Sequence, residues 1–90
     1  MLRSVTTERF RQCFKRLPET IQGQARSAYK RFKANPQHLS LRFKPVHNTR
    51  PIYSVRVNLN YRALALKEQD TLIWFWIGDH KDYDLLLKKI

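Results

Sequence analysis

The spacing of apolar positions changes near residue 40. Before that point, Phe10, Cys13, Phe14 and Leu17 recur at i, i+3, i+4 and i+7, one stripe of an amphipathic helix. Thr6 or Thr7 is placed to cap its start. Glu8 falls in the first turn, where the helix dipole favours a carboxylate. Pro18 cannot continue this helix but suits the first turn of a second one. In that second helix Ile21, Ala25, Ala28 and Phe32 point inward, with Arg26, Lys30 and Lys33 outward. Asn35-Pro36 ends it. The small alanines of the inner face predict an antiparallel helical hairpin lying across a sheet.

After residue 40 the period becomes two. Leu41 and Phe43 alternate with Arg42 and Lys44, and Tyr53, Val55 and Val57 alternate with Ser54 and Arg56. Asn58-Leu59-Asn60 reads as a tight turn, because asparagine tolerates positive φ. The chain returns over residues 61–67, turns at Glu68-Gln69-Asp70 and enters Leu72-Ile73-Trp74-Phe75-Trp76-Ile77. That segment is apolar on both faces, which predicts a central strand covered by helices. Gly78 breaks it. Asp79 is expected to cap a final helix, with Asp82 at the capping-box position and Tyr83, Leu86, Leu87 and Ile90 as its inward stripe. The first five residues predict a short edge strand. The expected class is α+β: a helical hairpin packed on a small, mainly antiparallel sheet with a C-terminal helix, ordered (β)ααβββα, as one domain over residues 1–90.

Composition narrows the function. A hydrophobic share of 42% in 90 residues fills one small core and not two. The lone Cys13 has no internal disulfide partner and lies on an apolar stripe, so buried packing is expected of it. The longest unbroken apolar run, residues 72–77, falls far short of the roughly 20 residues that span a bilayer. The first ten residues hold no apolar stretch suited to a signal peptide. A cytoplasmic protein with no membrane partner is expected.

The charge is large and uneven. Eighteen Lys and Arg against seven Asp and Glu give +11. Residues 1–62 hold fourteen basic and two acidic residues, and residues 63–90 hold four basic and five acidic. Such asymmetry points to a polyanionic partner, either a nucleic acid or an acidic protein surface.

If the 58–60 turn is symmetric about Leu59, Arg56 faces Arg62 on one face of a hairpin. Like charges there repel, and a bound phosphate converts the repulsion into bidentate attraction. Arg42 and Lys44 alternate in the same way on the preceding strand and are placed to extend the patch. The other reading of these long side chains is that they splay apart into water.

Among the three histidines, His38 and His47 fall in expected loops and read as solvated. His80 opens the last helix, with Tyr83 one turn later. An imidazole suits proton transfer at neutral pH. His80 therefore has two readings, a proton-transfer group beside the arginine pair or a plain helix-start residue. Tyr83 reads more readily as a core aromatic. Asp79, Asp82 and Asp84 are ascribed to the helix dipole. No ligand spacing suggests a metal, and no glycine-rich loop suggests a nucleotide, the only glycines being Gly23 and Gly78.

The segments Tyr53-Ser54-Val55-Arg56-Val57, Tyr61-Arg62-Ala63-Leu64 and Trp74-Phe75-Trp76-Ile77-Gly78-Asp79-His80-Lys81-Asp82-Tyr83 resemble the RelE/ParE superfamily of toxins. Leu17-Pro18, Ile21, Ala25, Phe32, Asn35-Pro36 and Leu41 are similar to its helical hairpin. The resemblance covers nearly the whole chain. It implies the toxin of a type II toxin–antitoxin pair, neutralised by a cognate acidic antitoxin. For the branch that cleaves mRNA on the ribosome, it implies a metal-independent, cofactor-free endoribonuclease that inhibits translation. By that resemblance, Arg56 and Arg62 match the strand arginines, and His80 and Tyr83 the carboxy-terminal catalytic positions. The strand lysines of some members are reduced here to Lys44. A ParE-like branch implies instead a non-enzymatic inhibitor of DNA gyrase. A third possibility is an inactive, antitoxin-binding partner.

Overall fold

The computed structural model describes residues 2–90, so Met1 of the expected edge strand lies outside the described residues. Strand β1 (Arg3–Thr6) leads into helices α1 (Glu8–Lys15) and α2 (Glu19–Ala34). A short 3-10 turn (Leu39–Leu41) and the two-residue strand β2 (Lys44–Pro45) follow. Strands β3 (Ile52–Arg56), β4 (Tyr61–Glu68) and β5 (Thr71–Asp79) then precede helix α3 (His80–Lys89). The five strands are ordered β1-β5-β4-β3-β2, and all pairs are antiparallel except β1 with β5. This is the expected α+β architecture, and the apolar β5 is an interior strand.

Local chemistry accounts for the helix starts. The Thr7 side chain accepts from Phe10 N at 3.1 Å, and the Asp79 carboxylate accepts from Asp82 N at 2.8 Å. Pro18 stands at the start of α2 without a side-chain cap. The hairpin is braced where the Gln22 amide donates to the carbonyls of Phe14 and Leu17.

Both faces of the sheet are covered. Ala28 and Phe32 of α2 pack with Val55, Ala63, Ala65, Trp74 and Ile77 on one face, joined by Phe10, Cys13 and Phe14 of α1. On the other face, Tyr83, Leu86, Leu87 and Ile90 pack with Ile52, Leu64 and Trp76. Cys13 is a partly buried packing residue, as expected. Neighbouring tryptophans reach opposite faces because Phe75 is an extra residue in β5. Leu64 pairs with Trp76 and Ala65 with Trp74, so the strand slips by one and its alternation inverts.

Three expectations are corrected. Leu41 and Arg42 are not on a strand. The His38 ring accepts from Ser40 N at 3.2 Å and caps the 3-10 turn, which leaves Arg42 left-handed at φ 47. The 58–60 turn does not rely on positive φ at asparagine, since only Arg42 and Gln69 have it among the described non-glycine residues. Instead the Asn58 side-chain oxygen accepts from Asn60 N at 2.8 Å and Tyr61 N at 3.0 Å, mimicking a backbone turn. His47 is no solvated loop residue. Its Nδ1 accepts from Thr49 N and Arg50 N, and its Nε2 lies 2.6 Å from the Ile90 oxygen, which ties the β2–β3 loop to the end of α3.

Candidate active site

Arg56 and Arg62 are direct partners in the β3–β4 ladder. Opposed residues share a face, and the register puts both arginines with Gly78, Leu64 and Trp76 on the side covered by α3. Lys44 lies opposite Ser54 on that same side and is exposed. Arg42 extends the group from the 3-10 turn rather than from a strand, and its charge is felt at Arg62.

The turn between the arginines is held from several directions. Arg62 Nη1 donates to the carbonyls of Asn58 at 2.7 Å, Tyr61 at 3.0 Å and Leu59 at 3.3 Å. The Asn58 amide also donates to the Gln24 side chain of α2. One guanidinium nitrogen of Arg62 is therefore committed to the fold. Partial burial, and then repulsion from Arg56 and Arg42, lower the Arg62 pKa below its ordinary value, with Tyr83 and Asp84 acting in the opposite sense.

The same turn positions the start of α3. The His80 backbone N–H donates to the Asn60 carbonyl at 2.6 Å. The imidazole is exposed, while Tyr83 is buried at 8% relative exposure and packs on Trp76 with ring centroids 6.3 Å apart. His80 and Tyr83 meet edge to face at 5.8 Å and 82°. His80 Nδ1 lies 3.2 Å from Asp84 Oδ2. Gly78 gives the Trp76 indole its place, because a Cβ there would stand 2.6 Å from the ring.

Five of the six expected residues, His80, Arg62, Tyr83, Arg56 and Lys44, stand where the strand and helix pattern puts them. Arg42 reaches the patch by another route. Sequence reasoning missed Asn58 and Asn60 as the struts between the hairpin and α3. It also assigned Asp84 to the dipole, although the i, i+4 spacing from His80 was a readable signal. Among the described residues, no group of three or more His, Cys, Asp or Glu is arranged to hold a metal, and no helix is long and apolar enough to cross a membrane.

Comparison places this geometry among known folds. The model of a ParE-like toxin domain matches residues 19–84. The RelB–RelE antitoxin–toxin complex of Methanococcus jannaschii contains a similar chain, at 21% identity and a TM-score of 0.68, covering 90% of this chain and 96% of that one. The RelBE2 toxin–antitoxin complex of Mycobacterium tuberculosis gives 19% identity and a TM-score of 0.69, covering 88% and 98%. A YoeB/ParE toxin of Agrobacterium tumefaciens gives 13% and 0.67, covering 88% and 99%. No curated protein matches the chain.

Proposed function

The chain belongs to the ParE-like toxin domain family of the RelE/ParE superfamily, and from that premise we propose that it is a toxin acting as a metal-independent endoribonuclease on mRNA. The observation that carries this reading is the pairing of Arg56 with Arg62 on the face beside His80. Two like charges in opposition disfavour the free hairpin, so an anion engaged by both accounts for them. Arginine's planar fork suits a phosphate bound through two N–H groups.

In this chemistry Arg56 and Arg62 hold the scissile phosphodiester, and Arg42 and Lys44 contact neighbouring phosphates. His80 takes the proton of the ribose 2′-hydroxyl. The O2′–P bond forms, the P–O5′ bond breaks, and the leaving oxygen collects a proton from solvent. The products are a 2′,3′-cyclic phosphate and a 5′-hydroxyl. Because the nucleophile belongs to the RNA, the step requires no metal. Tyr83, buried behind the imidazole, holds that ring edge-on rather than meeting the substrate.

The test is expression of the protein followed by primer-extension mapping of transcripts. New 5′ ends within coding regions, absent from His80→Ala, are expected. Growth arrest with intact transcripts would overturn the reading. It would favour the second one, an inhibitor of DNA gyrase, which the ParE-like character of the matched family supports.

The partner that fits is a cognate antitoxin with an acidic amphipathic segment. RelB accompanies the similar toxin in the Methanococcus jannaschii complex. On the face opposite the candidate site, a groove of about 650 Å³ runs between α2 and the sheet. Its floor includes Phe14, Val57, Ala63 and Ile77, while Arg26, Lys30 and Lys33 line its α2 side. An apolar floor beside cations complements such a segment.

A further inference from the structure

We infer that Asp84 is a positioning residue for His80: its carboxylate fixes the hydrogen on Nδ1 and leaves Nε2 as the nitrogen that exchanges protons with RNA. This rests on the ribonuclease reading above. The geometry is the 3.2 Å approach of Asp84 Oδ2 to His80 Nδ1, one helical turn apart on α3. An ionised carboxylate only accepts, so its charge favours the hydrogen on the ring nitrogen nearer to it, and in neutral imidazole the other nitrogen then holds the lone pair. A base orientated by a third group is the arrangement that proton transfer requires.

Two further contacts bear on His80. Its backbone N–H is tied to Asn60, which sets where the helix starts, and its ring plane meets Tyr83 at 82°. Asp84 removes the remaining ambiguity, namely which nitrogen is basic. The carboxylate is also near the arginine pair, since its charge supports the protonated form of Arg62. The helix dipole does not explain it. Asp84 follows the first turn of α3, where the Asp79 side chain caps the Asp82 N–H and Asp82 is the acidic residue.

The pair contributes little to folding. His80 and Asp84 side chains are 49% and 57% exposed, and exposed ion pairs stabilise weakly. Asp84→Asn therefore leaves the fold in place and isolates the positioning role. Long-range 15N–1H NMR of the imidazole in the purified protein reads the tautomer directly, without reference to RNA. The Nδ1–H form is expected in the wild type and a mixture in Asp84→Asn. The kcat for RNA cleavage is expected to fall about tenfold or more at unchanged KM, with partial recovery in Asp84→Glu. An Nε2–H wild type, or an Asp84→Asn variant with unchanged tautomer and rate, would overturn the inference. A wild type with the expected tautomer and no cleavage on any RNA, with or without ribosomes, would instead overturn the ribonuclease reading, and the catalytic role of Asp84 with it.

Discussion

Arg56 and Arg62 oppose one another across the β3–β4 hairpin, yet their surroundings differ. Arg62 donates through Nη1 to three carbonyls of the intervening turn, whereas no hydrogen bond or ion pair holds the Arg56 side chain among the described residues. One guanidinium therefore also builds the turn, and the other has no such structural part. The two arginines should respond differently to substitution.

Arg56→Ala removes a like charge from opposite Arg62, so the free protein gains stability, by about 0.2–1 kcal/mol. The Arg62 pKa is lowered first by burial and then by Arg56. The sign is that of a cation whose charged form the fold disfavours, a penalty present at every pH below the lowered value and so throughout neutral conditions. An anion at the pair offsets it. Sulfate at ten times its Kd should stabilise the wild type by about 1.4 kcal/mol, and the gain should largely vanish in Arg56→Ala. Thermal unfolding with and without sulfate checks both halves. A less stable Arg56→Ala protein that keeps the full sulfate response would contradict them.

Substitution of Arg62 carries a structural cost as well. Arg62→Ala leaves the carbonyls of Asn58 and Leu59 without the Arg62 donor, while that of Tyr61 keeps the Val57 N–H. For these partly exposed bonds the loss is about 1–2 kcal/mol. Arg62→Lys restores a donor but not the fork, so it should recover stability more than RNA affinity. Chemical denaturation beside an RNA-binding titration separates the effects. Equal recovery of both would mean that the guanidinium shape does not matter.

The hairpin was legible because two alternating strands flank a three-residue turn, so symmetry about Leu59 fixed the pairing of Arg56 with Arg62. The caps at Thr7 and Asp79 were legible for a similar local reason. Arg42 was not, because Leu41 and Phe43 mimic strand alternation while the His38 ring stabilises a 3-10 turn. The slip at Phe75 left no trace, since β5 is apolar on both faces and either parity reads alike. The ties from Asn58 to Gln24 and from His47 to Ile90 span 34 and 43 residues, and periodicity carries no information about them.

Gly78→Ala tests the support beneath the site. The added methyl would stand 2.6 Å from the Trp76 ring, and that ring packs on Tyr83, which in turn meets His80. The indole must move in a packed layer, at a cost of about 1–3 kcal/mol. Tryptophan fluorescence should shift and Tm should fall. RNA cleavage should drop more than the lost folded fraction explains, because the displacement passes through Tyr83 to the imidazole. Activity that simply tracks the folded fraction would show that Trp76 supports stability but not the position of His80.

Charge reversal in the groove beside α2 should separate neutralisation from toxicity. Lys30 and Lys33 line it on the face opposite Arg56 and His80, and both are exposed. Reversing them together, as Lys30→Glu with Lys33→Glu, places like charge against an acidic segment while leaving the apolar floor and the arginine pair intact. Affinity for the cognate antitoxin should fall about tenfold or more at low salt, with the difference shrinking as salt rises. Growth arrest by the variant expressed alone should match the wild type, and rescue by the co-expressed antitoxin should weaken. Unchanged antitoxin affinity at low salt would mean that the acidic segment lies elsewhere. Loss of toxicity in the variant would place this face in contact with the target itself.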